Sequence, residues 1–295
     1  MKRQLRRNHY RAINFGPDSM EAMTLRKRRN WNDPGNWVLP DVLTNLADDR
    51  DEADFTPAAQ VLAQYFRRRP DGRVFFSGAR FDRLGRSDDS STCNRFTAED
   101  IVAVSMLSED IPAHAALELT GDPENKTADD ISEELKKLPP TLTLAEAKLR
   151  TTVNGVEKRG VHYLTMQRLW RLVTRSTVEP SGGEKKGIGV TRGSKLLARK
   201  RPHLFPVIDD VVKRTLAPGD QPKYVGDNYW VSMQDELTKN NGRLLLDLHR
   251  IRQRAGDLLE PIQHDSDLSD ISVLRVFDVI VWMTGKGYKP EDWKP

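Results

Sequence analysis

The sequence predicts a mainly α fold with a minor β element, and three observations carry that expectation. Helix-start signals recur along the chain, apolar residues repeat at helical spacing behind them, and one stretch alone reads as β. Charged residues make up 31% of the chain with both signs interleaved. That suits a soluble helical protein better than a membrane protein or a β-sandwich. With 295 residues there is length for one large domain or two small ones.

Residues 1–35 are basic and weakly periodic and end in the turn signal NDPGNW, so they read as a partly ordered arm. In TPAAQVLAQYFRRR, Thr56 is placed to cap a helix with Pro57 in its first turn. DGRVFFSGARF reads as a turn and then a short strand or hairpin, with Phe75, Phe76 and Phe81 packing beneath it. SDDSST is a loop. Thr97 with Asp100, and Thr127 with Asp130, form capping boxes that open two helices. After Pro139-Pro140, LTLAEAKLRTTV reads as a helix, and another is expected from Lys158 to Val173. STVEPSGGEKK is a loop; residues 229–259 read as one or two helices with a break at Asn240-Asn241-Gly242. The last helix, in LSDISVLRVFDVIVWM, carries Ile271, Leu274, Phe277 and Val281 on one core-facing stripe.

The net charge is only +4, but it is unevenly spread. Nine Lys and Arg stand in residues 1–30 and residues 185–214 are also basic, whereas 88–134 is acidic. Such patches favour a nucleic-acid partner over bulk charge attraction. Cys93 is the only cysteine, which excludes an internal disulfide, a zinc thiolate site and a cysteine-ligated iron–sulfur cluster. The N-terminus has no apolar signal segment, and VFDVIVWM is too short to span a bilayer and contains Asp278. A cytoplasmic monomer without metal or cofactor is expected.

The most informative stretch is GIGVTRGSKLLARKRPHLFPVIDDVV, residues 187–212. Gly187-Ile188-Gly189 turns into a helix start, where free amides and the helix dipole suit a phosphate oxygen. Lys185, Lys186, Arg192, Lys195, Arg199, Lys200 and Arg201 surround it and would add salt-sensitive backbone affinity. Asp209 and Asp210 then stand at a second helix start, where either can serve as an N-cap. Capping also holds a carboxylate ionised and in place.

Those residues resemble the helix-hairpin-helix region of the endonuclease III-like (HhH-GPD) superfamily of DNA glycosylases. Gly187-Ile188-Gly189-Val190-Thr191 falls on that family's hairpin and Ile208-Asp209-Asp210-Val211-Val212-Lys213-Arg214 on its catalytic-aspartate motif, without a gap between them. A narrower likeness is to an uncharacterised actinobacterial-type family with SKLLARKRP followed by Pro-Val and an aspartate. The likeness covers about thirty residues. Lys185-Lys186 replaces the Leu-Pro that usually precedes the hairpin, and the cysteine cluster of some members is absent.

The resemblance implies a two-lobed helical HhH-GPD-like fold, with lobes at 36–140 and 141–295 and the C-terminal helix free to pack back on the first. It implies a DNA glycosylase that flips a modified or damaged base from double-stranded DNA and hydrolyses its N-glycosidic bond, in repair or in defence against phage with modified DNA. Asp209 takes the catalytic aspartate's place, with Asp210 and Lys195 as supporting candidates. Thr191 stands where bifunctional members carry a Schiff-base lysine, so the enzyme is expected to be monofunctional. Gly187, Ile188, Gly189, Thr191 and the cations named above are the DNA-binding candidates. Tyr163, Trp170, His203, Tyr229 and Trp230 are candidates for the base pocket. Two alternatives stay open: a non-catalytic DNA-binding protein with Asp209 only as a cap, and a protein whose basic arm binds RNA or an acidic partner.

Overall fold

The computed structural model describes residues 37–46, 54–85, 90–121, 126–175, 187–217 and 227–294. The basic arm expected at 1–35 lies outside them. In chain order the elements are α1 (Asp41–Thr44), α2 (Thr56–Phe66), α3 (Ala98–Ser105), α4 (Ala113–Thr120), α5 (Thr127–Lys136), β1 (Arg150–Val153), β2 (Val156–Arg159), α6 (Val161–Arg175), α7 (Val190–Lys200), α8 (Asp210–Leu216), α9 (Asp227–Leu259) and α10 (Val273–Gly285). Single 3-10 turns occur at Ser77–Arg80 and Pro290–Asp292. The chain is mainly α with one small antiparallel sheet. Among the described residues no helix is long and apolar enough to cross a membrane.

The β element stands elsewhere than expected. LTLAEAKLRTTV forms turns followed by β1, not a helix, and β1 pairs with β2 from Arg150↔Arg159 to Val153↔Val156. Asn154 and Gly155 take φ of 52° and 76°, the left-handed pair that a two-residue hairpin turn requires. Thr151, Thr152 and Val153 supply β-branched residues ahead of it. By contrast, DGRVFFSGARF makes one isolated bridge, Arg68↔Val74, and then the 3-10 turn.

Helix starts follow local chemistry. The Thr97–Asp100 capping box is formed, with the Thr97 amide donating to Asp100 Oδ2 at 2.8 Å. At the second box the helix already includes Thr127, and Lys126 is its cap residue. Phe55, not Thr56, caps α2, and Asp54 accepts from the Thr56 amide at 2.9 Å. Helix α9 is interrupted at Lys239–Gly242, where Asn240, Asn241 and Gly242 are left-handed, at the Asn-Asn-Gly signal.

Two groups of helices result. Helices α3, α4, α5, α6 and α7 contact one another in sequence, and α7 returns to α3, so these five close a ring. Helix α2 packs on α9 and α10, and α10 on α8 and α9, in a second group. Residues near both ends of the described chain thus meet, and the grouping does not divide at residue 140. In the core, Trp230 receives Tyr163, Trp170 and Phe205 edge-on at centroid distances of 6.3, 5.7 and 5.4 Å.

Candidate functional site

Asp209 stands at the junction of the two groups. It is the N-cap of α8, and its Oδ1 accepts from the Val211 amide at 2.8 Å. The extended approach is fixed by Ser194 on α7, whose hydroxyl accepts from the Ile208 amide at 2.9 Å and donates to the Thr191 carbonyl. One side chain therefore locks the helix after the glycine turn to the strand-like residues before the carboxylate.

A cavity of about 370 Å³ opens beside Asp209. Its walls come from α2 (Tyr65), residues 75–78, residues 106–109 after α3, Lys195 on α7, the start of α8 and the inner face of α10. Aromatic rings form one side. Tyr65 and Phe76 stack at 5.1 Å with planes 8° apart, and Trp282 meets them edge-on at 6.2 and 6.0 Å. Gly78 makes this wall tight: a Cβ there would lie 2.0 Å from the Tyr65 hydroxyl. An aromatic wall beside a fixed carboxylate suits a planar heteroaromatic group.

Charged groups line the other side. Lys195 is only 3% exposed; its Nζ donates to the Leu107 carbonyl at 2.8 Å and lies 3.7 Å from Asp209 Oδ2 and 3.8 Å from Glu109. Burial lowers the Lys195 pKa, and the two carboxylates pull it partly back. Arg275, also buried, donates to the Tyr65 hydroxyl at 2.8 Å and the Gly78 carbonyl at 3.1 Å and pairs with Asp82 and Asp278. Asp278 is 5% exposed, and burial pushes its carboxyl up to about 6, with Arg275 opposing and Asp209 adding to the rise. The cavity is thus lined by three carboxylates, Glu109, Asp209 and Asp278, and a buried, perturbed carboxyl such as that of Asp278 is common at functional sites.

Of the candidates read from the sequence, the structure brings Asp209 and Lys195 together in this cavity. Asp210 does not join them: it is exposed and pairs with Lys213 at 2.5 Å, which lowers its pKa. At the glycine turn, Ile188 is buried, Gly187 is half-buried and Gly189 is the exposed cap residue of α7. Thr191 is half-buried. Arg192 donates to the Gly187 carbonyl and pairs with Glu109 at 3.3 Å. Lys185 and Lys186 lie outside the described residues.

The basic run Arg199-Lys200-Arg201 corrects the expectation of a DNA-facing patch. All three side chains are buried. Arg199 binds Asp100 and the carbonyls of Phe81, Asp82 and Gly85; Lys200 binds Asp100 and the Thr92 carbonyl. Arg201 donates to the carbonyls of Cys93, Leu135, Leu138 and Lys200 and to Asn94. The reason is geometric: the C-terminal half of α7 runs inside the protein, where its cations satisfy loop and helix-end carbonyls.

The expected base-pocket residues are displaced too. Tyr163, Trp170 and Trp230 belong to the core cluster, and Tyr229 packs on Trp37 at 4.8 Å. His203 is half-buried, its carbonyl accepting from the Leu144 amide, and burial lowers its pKa. None of the five lines the cavity. Phe76 and Trp282 line it instead, one expected beneath a hairpin and the other on a core helix. Their only sequence signal was aromatic character itself. Among the described residues no group of three or more His, Cys, Asp or Glu is placed to hold a metal ion.

Residues 58–285 match the model of a family described as a family of unknown function (DUF6308), and the chain belongs to that family. No curated protein matches the chain, and no solved structure does.

Proposed function

We propose that this protein is a monofunctional DNA glycosylase acting in the cytoplasm, which takes a flipped modified or damaged base into the cavity and hydrolyses its N-glycosidic bond. The observation that carries the proposal is Asp209: a carboxylate fixed by a helix amide, on the wall of an aromatic-sided cavity, directly after the helix that the glycine turn opens. The likeness of residues 187–214 to the helix-hairpin-helix glycosylases points the same way.

The chemistry asks little more of the protein. Extruding a base costs roughly a few kcal/mol, and the aromatic wall of Tyr65, Phe76 and Trp282 offers the base a new ring contact. As the glycosidic bond breaks, the base leaves with the bonding electron pair and is protonated by solvent, to which Asp209 later returns its proton, and positive charge grows on the deoxyribose. The Asp209 carboxylate stabilises it and orients the attacking water, taking the proton that the water loses. The Val211 amide holds the Asp209 carboxylate in place, and the Lys195 Nζ stands 3.7 Å from its other oxygen. Thr191 offers no amine and the Lys195 Nζ is held by the Leu107 carbonyl between Asp209 and Glu109, so on this reading the abasic site is left intact and the strand uncut.

A second reading has one observation in its favour, that Asp209 does cap α8. On that reading the protein binds DNA without chemistry. Scoring strand breaks before and after hot alkali, on modified DNA treated with the wild type, separates the two. The glycosylase yields breaks only after alkali, and Asp209→Asn yields none. A pure binder yields none with either protein.

A further inference from the structure

With Arg199, Lys200 and Arg201 internal and Arg192 paired with Glu109, the glycine-turn side of the cavity has less free positive charge than its sequence suggests. The opposite lip has more. Phe75 lines the cavity yet is 40% exposed, and its ring lies under two guanidiniums, Arg67 at 4.7 Å and Arg69 at 5.2 Å. Lys286, also lining the cavity, stands over the Trp282 ring at 5.6 Å. Neighbouring cations are neutralised: Arg68 by Asp265, Arg73 by Asp71 and Lys289 by Glu291. Among the described residues, no carboxylate stands within ion-pair distance of Arg67, Arg69 or Lys286.

An exposed ring between unpaired cations adds little to a fold, since a surface cation–π contact is worth only about 0.5–1 kcal/mol. The same combination is how proteins hold nucleic-acid strands, with cations on phosphates and rings stacked on bases. The Arg67 guanidinium is anchored by the Lys294 carbonyl, which holds it over the Phe75 ring.

We propose that Arg67, Arg69, Phe75 and Lys286 form a strand-binding lip, which grips the DNA nucleotides flanking the one in the cavity, with Phe75 stacking on a neighbouring base. This rests on the reading of the cavity as a nucleotide pocket. Because the ring face accepts any base, the lip supplies affinity for an unstacked strand without choosing the sequence.

Fluorescence anisotropy with a labelled single-stranded oligonucleotide and its duplex tests this, across salt from about 50 to 200 mM. The triple variant Arg67→Gln/Arg69→Gln/Lys286→Gln should bind at least tenfold more weakly. Its log K against log salt should flatten by about two, three lost phosphate contacts at roughly 0.7 each on a single strand. Phe75→Ala should weaken single-strand binding roughly tenfold, and Phe75→Trp should restore it. Melting temperatures check that each variant is folded; should Phe75→Ala unfold, the charge variant still decides. Folded variants that bind within twofold of the wild type would overturn the lip, even if the wild type releases bases. Failure of the wild type to bind any DNA would overturn both lip and glycosylase. Binding that depends on the lip, with no base release, would leave the lip standing and remove the glycosylase.

Discussion

Replacing Arg201 by Met separates a structural cation from a DNA-binding one. In the native protein its guanidinium reaches the Cys93 carbonyl at 2.7 Å, the Leu135 carbonyl at 2.7 Å and the Leu138 carbonyl, all buried. Leu135 also accepts from the Leu138 amide, so Cys93, Leu138 and Lys200 are the carbonyls that depend on Arg201. Leaving a buried acceptor unpaired costs about 1–3 kcal/mol, so the three set a loss of about 3–9. Met roughly preserves the side-chain volume and removes a charge whose burial lowers its pKa to about 10, which recovers part of that loss. A net destabilisation of about 3–4 kcal/mol follows, or roughly 10 °C in Tm for a domain of this size. Urea titration and thermal melts measure it, while anisotropy at a temperature where the variant is folded should show unchanged DNA affinity. A variant that melts within about 2 °C of the wild type but binds DNA several-fold more weakly would refute the internal role.

Two further outcomes follow from the cavity. Lys195→Gln removes the ammonium beside Asp209 and should slow base release roughly tenfold, the worth of one charge-assisted contact, without weakening DNA binding; an unchanged single-turnover rate contradicts it. Asp278 predicts a pH effect on stability, because its folded pKa of about 6 stands above the ordinary 3.8. The native state holds that proton more tightly than the unfolded chain, so the contribution is complete below about pH 4 and lost as pH rises through about 6. Arg275, Asp209 and Lys195 are the charged groups around it. Urea titrations should show the wild type losing stability relative to Asp278→Asn between those pH values; a constant difference contradicts the raised pKa.

How much was legible depended on how local the cause was. The residues from Gly187 to Asp209 could be read because turn, helix start and cap are each decided within a few positions. Ser194, which joins them, gave no signal, since a helical serine is unremarkable until its partner, the Ile208 amide, is placed. The Asn154-Gly155 pair is a local turn signal, but the helical pattern of LAEAKL before it masks the strand that leads into it. The basic run misled because Lys and Arg read as solvent-facing by default. Arg199 and Lys200 nevertheless stand about 100° apart on the last turn of α7 and Arg201 follows as its non-helical C-cap, so the three cannot share one exposed helix face. The cavity's aromatic wall was beyond reach: Tyr65 and Trp282 are brought together by the packing of α2 on α10, a contact that no local pattern records.

On the proposed function, Asp209 drives release of a base. Wild type and Asp209→Asn should be incubated with genomic DNAs, including heavily modified phage DNA, and freed bases identified by mass spectrometry. One class of free base is expected from the wild type, matched by abasic sites, and none from Asp209→Asn, whose DNA affinity should be preserved or increased. Base release by Asp209→Asn at the wild-type rate, or tight salt-dependent binding by the wild type with no base freed from any DNA, would contradict it.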